Sequence, residues 1–535
     1  MKSARDVRRR AAFRLSGTRP PLPSAAVREP LVDSAAPLEL TLRLRARSPG
    51  LQRQVAAVHD GRSPTLSRAE LAARYGSDHE AHRVVEQWAA RQGLELLAGD
   101  PTRRAVELRG SAAQLARLFQ VDLVRVRHGE RSWLSHAGAV HLPAELVGAV
   151  SGVLGFHQQP IAGRGALPMD RDSRPRGARA AGPTFTAPEI AALYGFPAGF
   201  DGRGQTVGVI ALGGGYRASD LDVYFRSLKL PRPRFTDVSV YGTRNSPTGS
   251  SRQFDGEVTG DIETVGALVP GAHVVVYFAP NTERGFLGAV AHAVHDRRHR
   301  PAVLSVSWGR NEKHWTRATL RHFDEVLAEA AALGITVCCS SGDDGAFAQP
   351  GDRHPGVCFP ASSAHVLACG GTSLVGTTPG RIHECGWRDA AGASGGGVSA
   401  LMRRPSWQAA PVTPRQTMRH EGRCLPDVSA NADPESGYRV YGFGAWHVGA
   451  GTSAAAPLWA GLLARINQMM GRPIGLFTPL LYRQVDALVR SGAIRPVRTL
   501  EGSDALLRKG WNRHTGLGVP SGVELAAAIA AARAH

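Results

Sequence analysis

The sequence has no stretch of 18 or more apolar residues, so nothing in it reads as a membrane span. Its start is basic enough to open an export signal, but no apolar core follows Arg8-Arg9-Arg10, and no signal peptide is read there. Cysteine is missing from the first 337 residues. The six present (Cys338, Cys339, Cys358, Cys369, Cys385 and Cys424) contain no Cys-x-x-Cys pair, which argues against a zinc module. An even count permits disulfides, but Cys338 and Cys339 lie in an apolar run and are expected as buried thiols. No zinc finger, RNA-recognition signature or heptad-backed basic helix occurs either. The net charge of +19 is therefore read as arginine-rich composition with solvated runs at 5–14 and 171–179, not as a nucleic-acid footprint.

What is present is a globular composition, 43% hydrophobic and 20% charged, in a chain of 535 residues that calls for two or three domains. Residues 1–36 are rich in Arg, Pro and Ser and are expected to be disordered. A compact region follows to residue 158. Leu38 to Leu44 alternates like a half-buried strand, and Ser67-Arg68-Ala69-Glu70 opens a helix as a capping box. Glu80 to Gln92 reads as an amphipathic helix, Leu94–Leu97 and Ala105–Leu108 as strands, and Ser111 caps a further helix ending near Phe119. That order predicts a small α/β sandwich. Residues 159–183 are rich in Arg, Gly and Pro and read as an exposed, cleavable linker.

From residue 184 onward, apolar runs recur with helical segments between them: Thr206–Leu212, Val274–Ala279, Ala302–Trp308, Ile335–Ser340 and Val366–Cys369. Such runs are parallel strands buried on both faces, and they predict a doubly wound α/β domain with its active groups at the carboxyl ends of the strands.

Three segments could carry chemistry. In Gly451-Thr452-Ser453-Ala454-Ala455-Ala456-Pro457, small residues let a substrate backbone come close to Ser453, and the apolar helix that follows offers its positive end to developing negative charge. Alone, Gly-Thr-Ser would be read as a helix cap; the whole heptapeptide with its buried helix reverses that. A serine nucleophile needs a base. Of the 20 histidines none stands in a His-Gly-Thr setting before a helix. Glu257 and Asp261 instead lie four apart, on one face of a helix part-buried by Val258, Ile262, Val265 and Leu268. Two close, desolvated carboxyls share a proton, which raises one pKa. The third segment is Ser340-Ser341-Gly342-Asp343-Asp344-Gly345, directly after an apolar strand. A protonated Asp343 could donate to an oxyanion, although the same residues would also form an ordinary turn.

Together these segments resemble the sedolisins, the serine-carboxyl peptidases, and most nearly their kumamolisin branch. Further matching stretches are Ala211 to Tyr216, Gly256 to Ala272, Val276 to Thr282, Ser305 to Gly309, Cys369 to Thr372, Gly395 to Ser399, and Pro426-Asp427-Val428 with Asn431-Ala432-Asp433-Pro434. The resemblance implies an activation prodomain at 37–158, a cleavable linker at 159–183 and a peptidase domain at 184–535 with a subtilisin-like parallel sheet flanked by helices. It implies a secreted, acid-acting serine endopeptidase made as a self-inhibited proenzyme, with Ser453 as nucleophile, Glu257 as base, Asp261 as its support and Asp343 as the oxyanion-side acid. Trp308, Gly309 and Gly396 are expected to border the substrate. Protein or peptide substrates and the chain's own prodomain are the expected partners of a monomer, with no nucleic acid and no membrane. Because Asp343 must keep its proton, the expected optimum is roughly pH 3–5.

Two departures stand out. Kumamolisin-type enzymes carry Glu before the Leu-Gly-Gly-Gly-Tyr turn, extending the carboxyl network towards the tryptophan matched by Trp308; here the residue is Ala211. The family's Ca²⁺ site falls on Arg498, Thr499, Arg508, Gly510 and Asn512, which lack the carboxylates a hard dication wants. Calcium is therefore not expected, and Arg498 is expected to supply the positive charge instead. Ala211 also motivates a competing reading, a catalytically impaired homologue kept as a binding protein. The charge of +19 motivates a weaker one, a nucleic-acid binder.

Overall fold

Apolar runs buried on both faces need a partner strand on each side and a helix above and below, and the second half of the chain supplies both. A computed structural model of the protein describes residues 12–23, 25–31, 33–161, 184–247, 249, 252–347, 355–378, 381–409, 421–497 and 511–534. The central strand, Thr206–Leu212, pairs in parallel with His273–Ala279 on one side and Val303–Val306 on the other. The sheet continues outward through Arg234–Ser239 at one edge, and through Thr336–Ser340 and Leu367–Thr378 on the other side. Val428–Asn431 joins Leu367–Thr378 in parallel, and Arg381–Gly386 joins it antiparallel. All five expected strands are present. The Arg234–Ser239 strand was not anticipated: its Arg, Thr, Asp and Ser sit at a half-exposed edge and leave no apolar run.

The Ala302–Trp308 run stops being strand at Val306, so Ser307 and Trp308 leave the sheet at its carboxyl end. Helices Arg252–Leu268 and Thr452–Met470 pack against each other and against the sheet. Glu283–His295 and Arg317–Ala332 form a second pair. All six cysteines are buried. No described helix is long and apolar enough to cross a membrane.

The N-terminal region folds around a four-stranded antiparallel sheet in the order Glu95–Asp100, Ala105–Ser111, Pro37–Leu44, Val150–Leu154. Ser67 makes the expected capping box and Ser111 the expected cap. Leu38, Leu40, Leu42 and Leu44 face this region's own core. Thr41 and Arg43 point the other way yet are only 1% exposed, because the C-terminal domain covers that face. A strand that alternates like a half-buried one is thus buried on both sides.

One expectation is corrected. Of residues 1–36, read as disordered, Ala12–Arg14 pairs with His141–Pro143 and Val27–Pro30 pairs with Asp122–His128. Leu15 and Leu31 pack on the domain core, and Glu29 pairs with Arg127 at 2.8 Å. Short strands ordered by distant partners do not show in an Arg- and Pro-rich composition. Residues 1–11 lie outside the described residues, as does all of the 159–183 linker beyond Ile161. At its described start, Ile161 is buried and its N–H donates to Asn281 Oδ1 at 2.9 Å, while the Arg310 guanidinium lies 3.5 Å from the carbonyls of Gln159 and Pro160.

Candidate active site

Ser453 lies in the first turn of the Thr452–Met470 helix, and the residue before that helix, Gly451, has φ +85°. A Cβ at Gly451 would stand 2.6 Å from Asp343 Oδ2, so both the backbone conformation and the close approach demand glycine. The sequence Ala454 to Leu463 buries this helix almost all round, which fixes its start. Ser453 is 5% exposed, and its hydroxyl points to the carbonyl of Ser307 at 3.4 Å.

Glu257 and Asp261 sit one turn apart on the Arg252–Leu268 helix, 2% and 3% exposed. Both line one pocket with Ser453, so the helical spacing read from the sequence does bring the carboxyl pair to the serine. Burial, and then the neighbouring Glu257 charge, push the Asp261 pKa well above the usual carboxylate range; Ser307, whose hydroxyl lies 2.7 Å from Asp261 Oδ1, pulls the other way. The pocket is also lined by a hairpin, Tyr438–Gly442 with Ala445–Gly449, contributing Tyr438, Val440 and His447. Glu263, two residues beyond Asp261, is buried and accepts the Tyr441 N–H at 2.8 Å, tying that hairpin to the carboxyl helix.

Asp343 follows the Thr336–Ser340 strand and is clamped to the residue before Ser453. The Thr452 N–H and Thr452 hydroxyl both donate to its Oδ1, at 2.7 and 2.8 Å. Burial raises the Asp343 pKa, and the two Thr452 bonds oppose that rise. With Oδ1 engaged twice, Oδ2 is the oxygen free to carry a proton. Asp255, the first acid of the 255–263 segment, has a different job: it accepts the N–H groups of Gly215 and Gly249 at 2.8 and 3.0 Å and anchors their loops.

The three residues expected at the substrate, Trp308, Gly309 and Gly396, are buried or half-buried. Trp308 is buried, stacked on Phe254 with ring centroids 5.9 Å apart. Its indole N–H donates to the Ile210 carbonyl at 2.8 Å. The backbone beside Ala211 thus takes the donor that a carboxylate would otherwise meet. Gly396 is buried, and a Cβ there would stand 1.9 Å from the Arg513 carbonyl oxygen. Gly309 is half-buried. None of the three lines the pocket beside Ser453. The residues missed from the sequence are Ser307, Thr452 and the hairpin. The first two stood inside recognised motifs, but nothing local marked their partners, and nothing local marked the hairpin as a neighbour of the site.

For calcium, Arg498, Thr499, Arg508 and Gly510 lie outside the described residues. Asn512 does not suit a hard cation. Its Oδ1 already accepts the N–H groups of His514 and Thr515 at 2.9 and 2.8 Å, and its Nδ2 aims a donor at the Val497 carbonyl, 3.4 Å away. Among the described residues no group of three or more His, Cys, Asp or Glu is placed to hold a metal ion.

Comparison with known proteins agrees with this geometry. Residues 24–159 match the family described as the pro-kumamolisin activation domain, and residues 240–518 match the subtilase family. Kumamolisin from Bacillus sp. (strain MN-32) is 38% identical over 480 residues, covering 87% of this chain and 86% of that protein. Sedolisin from Pseudomonas sp. (strain 101) is 26% identical over 476 residues, covering 85% and 79%. A solved structure of Pseudomonas sedolisin, a serine-carboxyl proteinase complexed with pseudo-iodotyrostatin, superposes with a TM-score of 0.58 at 27% identity, covering 66% of this chain and 99% of that one.

Proposed function

The chain belongs to the sedolisin family of serine-carboxyl peptidases and is a serine endopeptidase made with an inhibitory activation domain, and from that premise we propose that it acts at acid pH through Ser453, Glu257, Asp261 and Asp343. The observation that carries this reading is the shared pocket: Ser453 and the Glu257–Asp261 pair face one cavity, and Thr452 ties Asp343 to the same turn.

The Ser453 hydroxyl oxygen attacks the peptide carbonyl carbon while its proton passes to the Glu257 carboxylate. The carbonyl oxygen becomes an oxyanion, and protonated Asp343 donates to it through Oδ2. On collapse the C–N bond breaks, and Glu257 returns its proton to the leaving amine. Water then repeats the sequence on the acyl-enzyme, releasing the acid and restoring Ser453. Asp261 shares the pair's remaining proton and keeps the negative charge available on Glu257.

The activation cut falls in residues 159–183, between a prodomain at 37–158 and a peptidase domain from 184. We take Gly309 as a wall of the substrate cleft and Trp308 and Gly396 as its backing. The chain works as an exported monomer on peptide substrates, without nucleic-acid or membrane partners. Supporting that view of its charge, Arg43, Arg104, Arg310 and Arg423 are buried inside the molecule. The test is digestion of casein at acid pH together with mass spectrometry of the acid-incubated precursor. Wild type should digest casein and cut itself within 159–183, and Ser453→Ala should do neither. Undiminished digestion by Ser453→Ala would overturn the reading.

A further inference from the structure

Ser307 stands where the Val303–Val306 strand has ended and the sheet opens towards the site. It is buried, and both its hydroxyl and its carbonyl meet the catalytic constellation. Its hydroxyl lies 2.7 Å from Asp261 Oδ1 and 3.2 Å from the Ser453 carbonyl oxygen. Its own carbonyl takes the Ser453 hydroxyl at 3.4 Å. A hydroxyl carries one hydrogen, and Asp261 is the nearer acceptor. With Oδ1 so engaged, the oxygen left for Glu257 is Asp261 Oδ2, which is buried and reached by no hydrogen-bond donor.

The second contact has a separate cause. Pro457, four residues after Ser453, has no N–H to give the Ser453 carbonyl. The Ser307 hydroxyl stands next to that carbonyl. One side chain therefore touches the support of the base and the backbone of the nucleophile, on two helices from distant parts of the chain.

We propose that Ser307 is a positioning residue for the carboxyl pair, holding Asp261 Oδ1 so that Oδ2 faces Glu257 and stabilising the pair once it has lost its first proton. This rests on the catalytic reading given above. The chemical need is specific to acid conditions. A pair that holds both protons is no base, and burial delays its first ionisation. A hydroxyl donating to the singly charged pair brings that ionisation back down. The other titratable groups lining the pocket are Glu257 itself, from the same helix, and Tyr438 and His447 from the hairpin; no lysine or arginine is among its lining residues.

The test compares peptide hydrolysis against pH for the acid-processed full chain and its Ser307→Ala, Ser307→Cys and Ser307→Thr variants. In Ser307→Ala the acid limb of kcat/KM should move up by roughly one pH unit, the loss expected for a hydrogen bond to a charged group. Its kcat should fall about tenfold with KM changed less than about twofold. Ser307→Cys, a near-isosteric weak donor, should move the limb the same way by less, and Ser307→Thr should restore it. A packing role alone would lower Tm and leave the limb in place, so profiles of Ser307→Ala and Ser307→Cys that superimpose on wild type after scaling overturn the proposal. Ser453→Ala and Glu257→Gln run in parallel. Hydrolysis retained in either would sink the catalytic reading itself, whereas loss there with an unmoved limb in the Ser307 variants would sink only the role of Ser307.

Discussion

Arg103 donates from its guanidinium to Nε2 of His292, a contact that crosses from the activation domain to the Glu283–His295 helix of the peptidase domain. Nδ1 of the same ring lies 2.7 Å from the Gly288 carbonyl, which can only accept, so the single hydrogen of the neutral ring sits on Nδ1 and Nε2 is the acceptor. A second proton on this ring would set an N–H against a guanidinium. The surroundings do little to offset that. Asp100 is committed to Arg103 at 2.6 Å, and Glu107 lies 4.0 Å from Arg103. The Tyr241 ring meets His292 edge to face at 5.8 Å and carries the Arg284 guanidinium 3.9 Å above it. His295, one turn on, is paired with Glu329 at 2.8 Å. Burial first, and Arg103 second, push the His292 pKa down to about 4.

That pair makes the inhibitory contact acid-sensitive. Once the activation domain leaves, Arg103 and the cover it gives are gone, and the ring returns towards its ordinary value of 6.5. The released peptidase domain therefore binds a proton that the precursor does not. The contact is at full strength above that ordinary value and weakens as pH falls from there to the depressed one, by on the order of a hundredfold. His292→Gln keeps an acceptor but takes no proton, so its self-processing should need a lower pH than wild type. Gels of the precursor incubated across a pH series would show this, and an unmoved midpoint would count against it.

The neighbouring ion pair should behave in the opposite way. Arg104 reaches Glu325 at 3.0 Å and Glu329 at 2.8 Å across the same interface. Burial works against the Glu329 carboxylate, but Arg104 and His295 hold its pKa down to about 2, so it stays ionised through the working range. This pair stabilises the precursor at every relevant pH and does not answer to acid. Arg104→Ala takes the guanidinium from the buried Glu329 carboxylate and from the part-exposed Glu325, a loss of about 3–5 kcal/mol. The variant should expose its activation domain to trypsin at neutral pH, where wild type resists.

Asp343 should set the alkaline limit of activity. Its folded pKa is raised by burial, and only the protonated form can donate to an oxyanion, so activity falls as pH rises through that raised value. Asp343→Ala should lower kcat by about a hundredfold or more. Asp343→Asn can still accept from Thr452 with its oxygen and donate with its nitrogen, so it should lose the alkaline limb of the kcat profile. A limb that persists in Asp343→Asn would assign it to another group.

Asn512 leads to a prediction about calcium. With its oxygen accepting two N–H bonds and its nitrogen directed at Thr515 Oγ1 and the Val497 carbonyl, Asn512 holds its own loop, 512–515, as an uncharged amide. Chelator should leave Tm unchanged. A Tm that falls with chelator and recovers with added Ca²⁺ would show that an ion holds this loop after all.

Much of the peptidase domain was legible because its constraints are local. A strand buried on both faces has to be apolar throughout, so Thr206–Leu212 and its four companions announce themselves. Glu257 and Asp261 are brought together by helical spacing alone, and the small residues around Ser453 mark a close approach within one heptapeptide. Ala12–Arg14 and Val27–Pro30 went unread because each owes its order to a strand roughly a hundred residues away.

The sequence by itself determined the parallel sheet, the family and the four candidate catalytic groups, since each rests on residues adjacent in the chain or one helical turn apart. Tertiary structure alone decided what those groups lean on. Ser307 meets Asp261 across 46 positions and Ser453 across 146, and Arg103 meets His292 across 189. Hydrogen bonds and ion pairs depend on distance in space, and a serine, an arginine or a histidine looks the same in a sequence whether it faces water or a carboxylate it is there to hold.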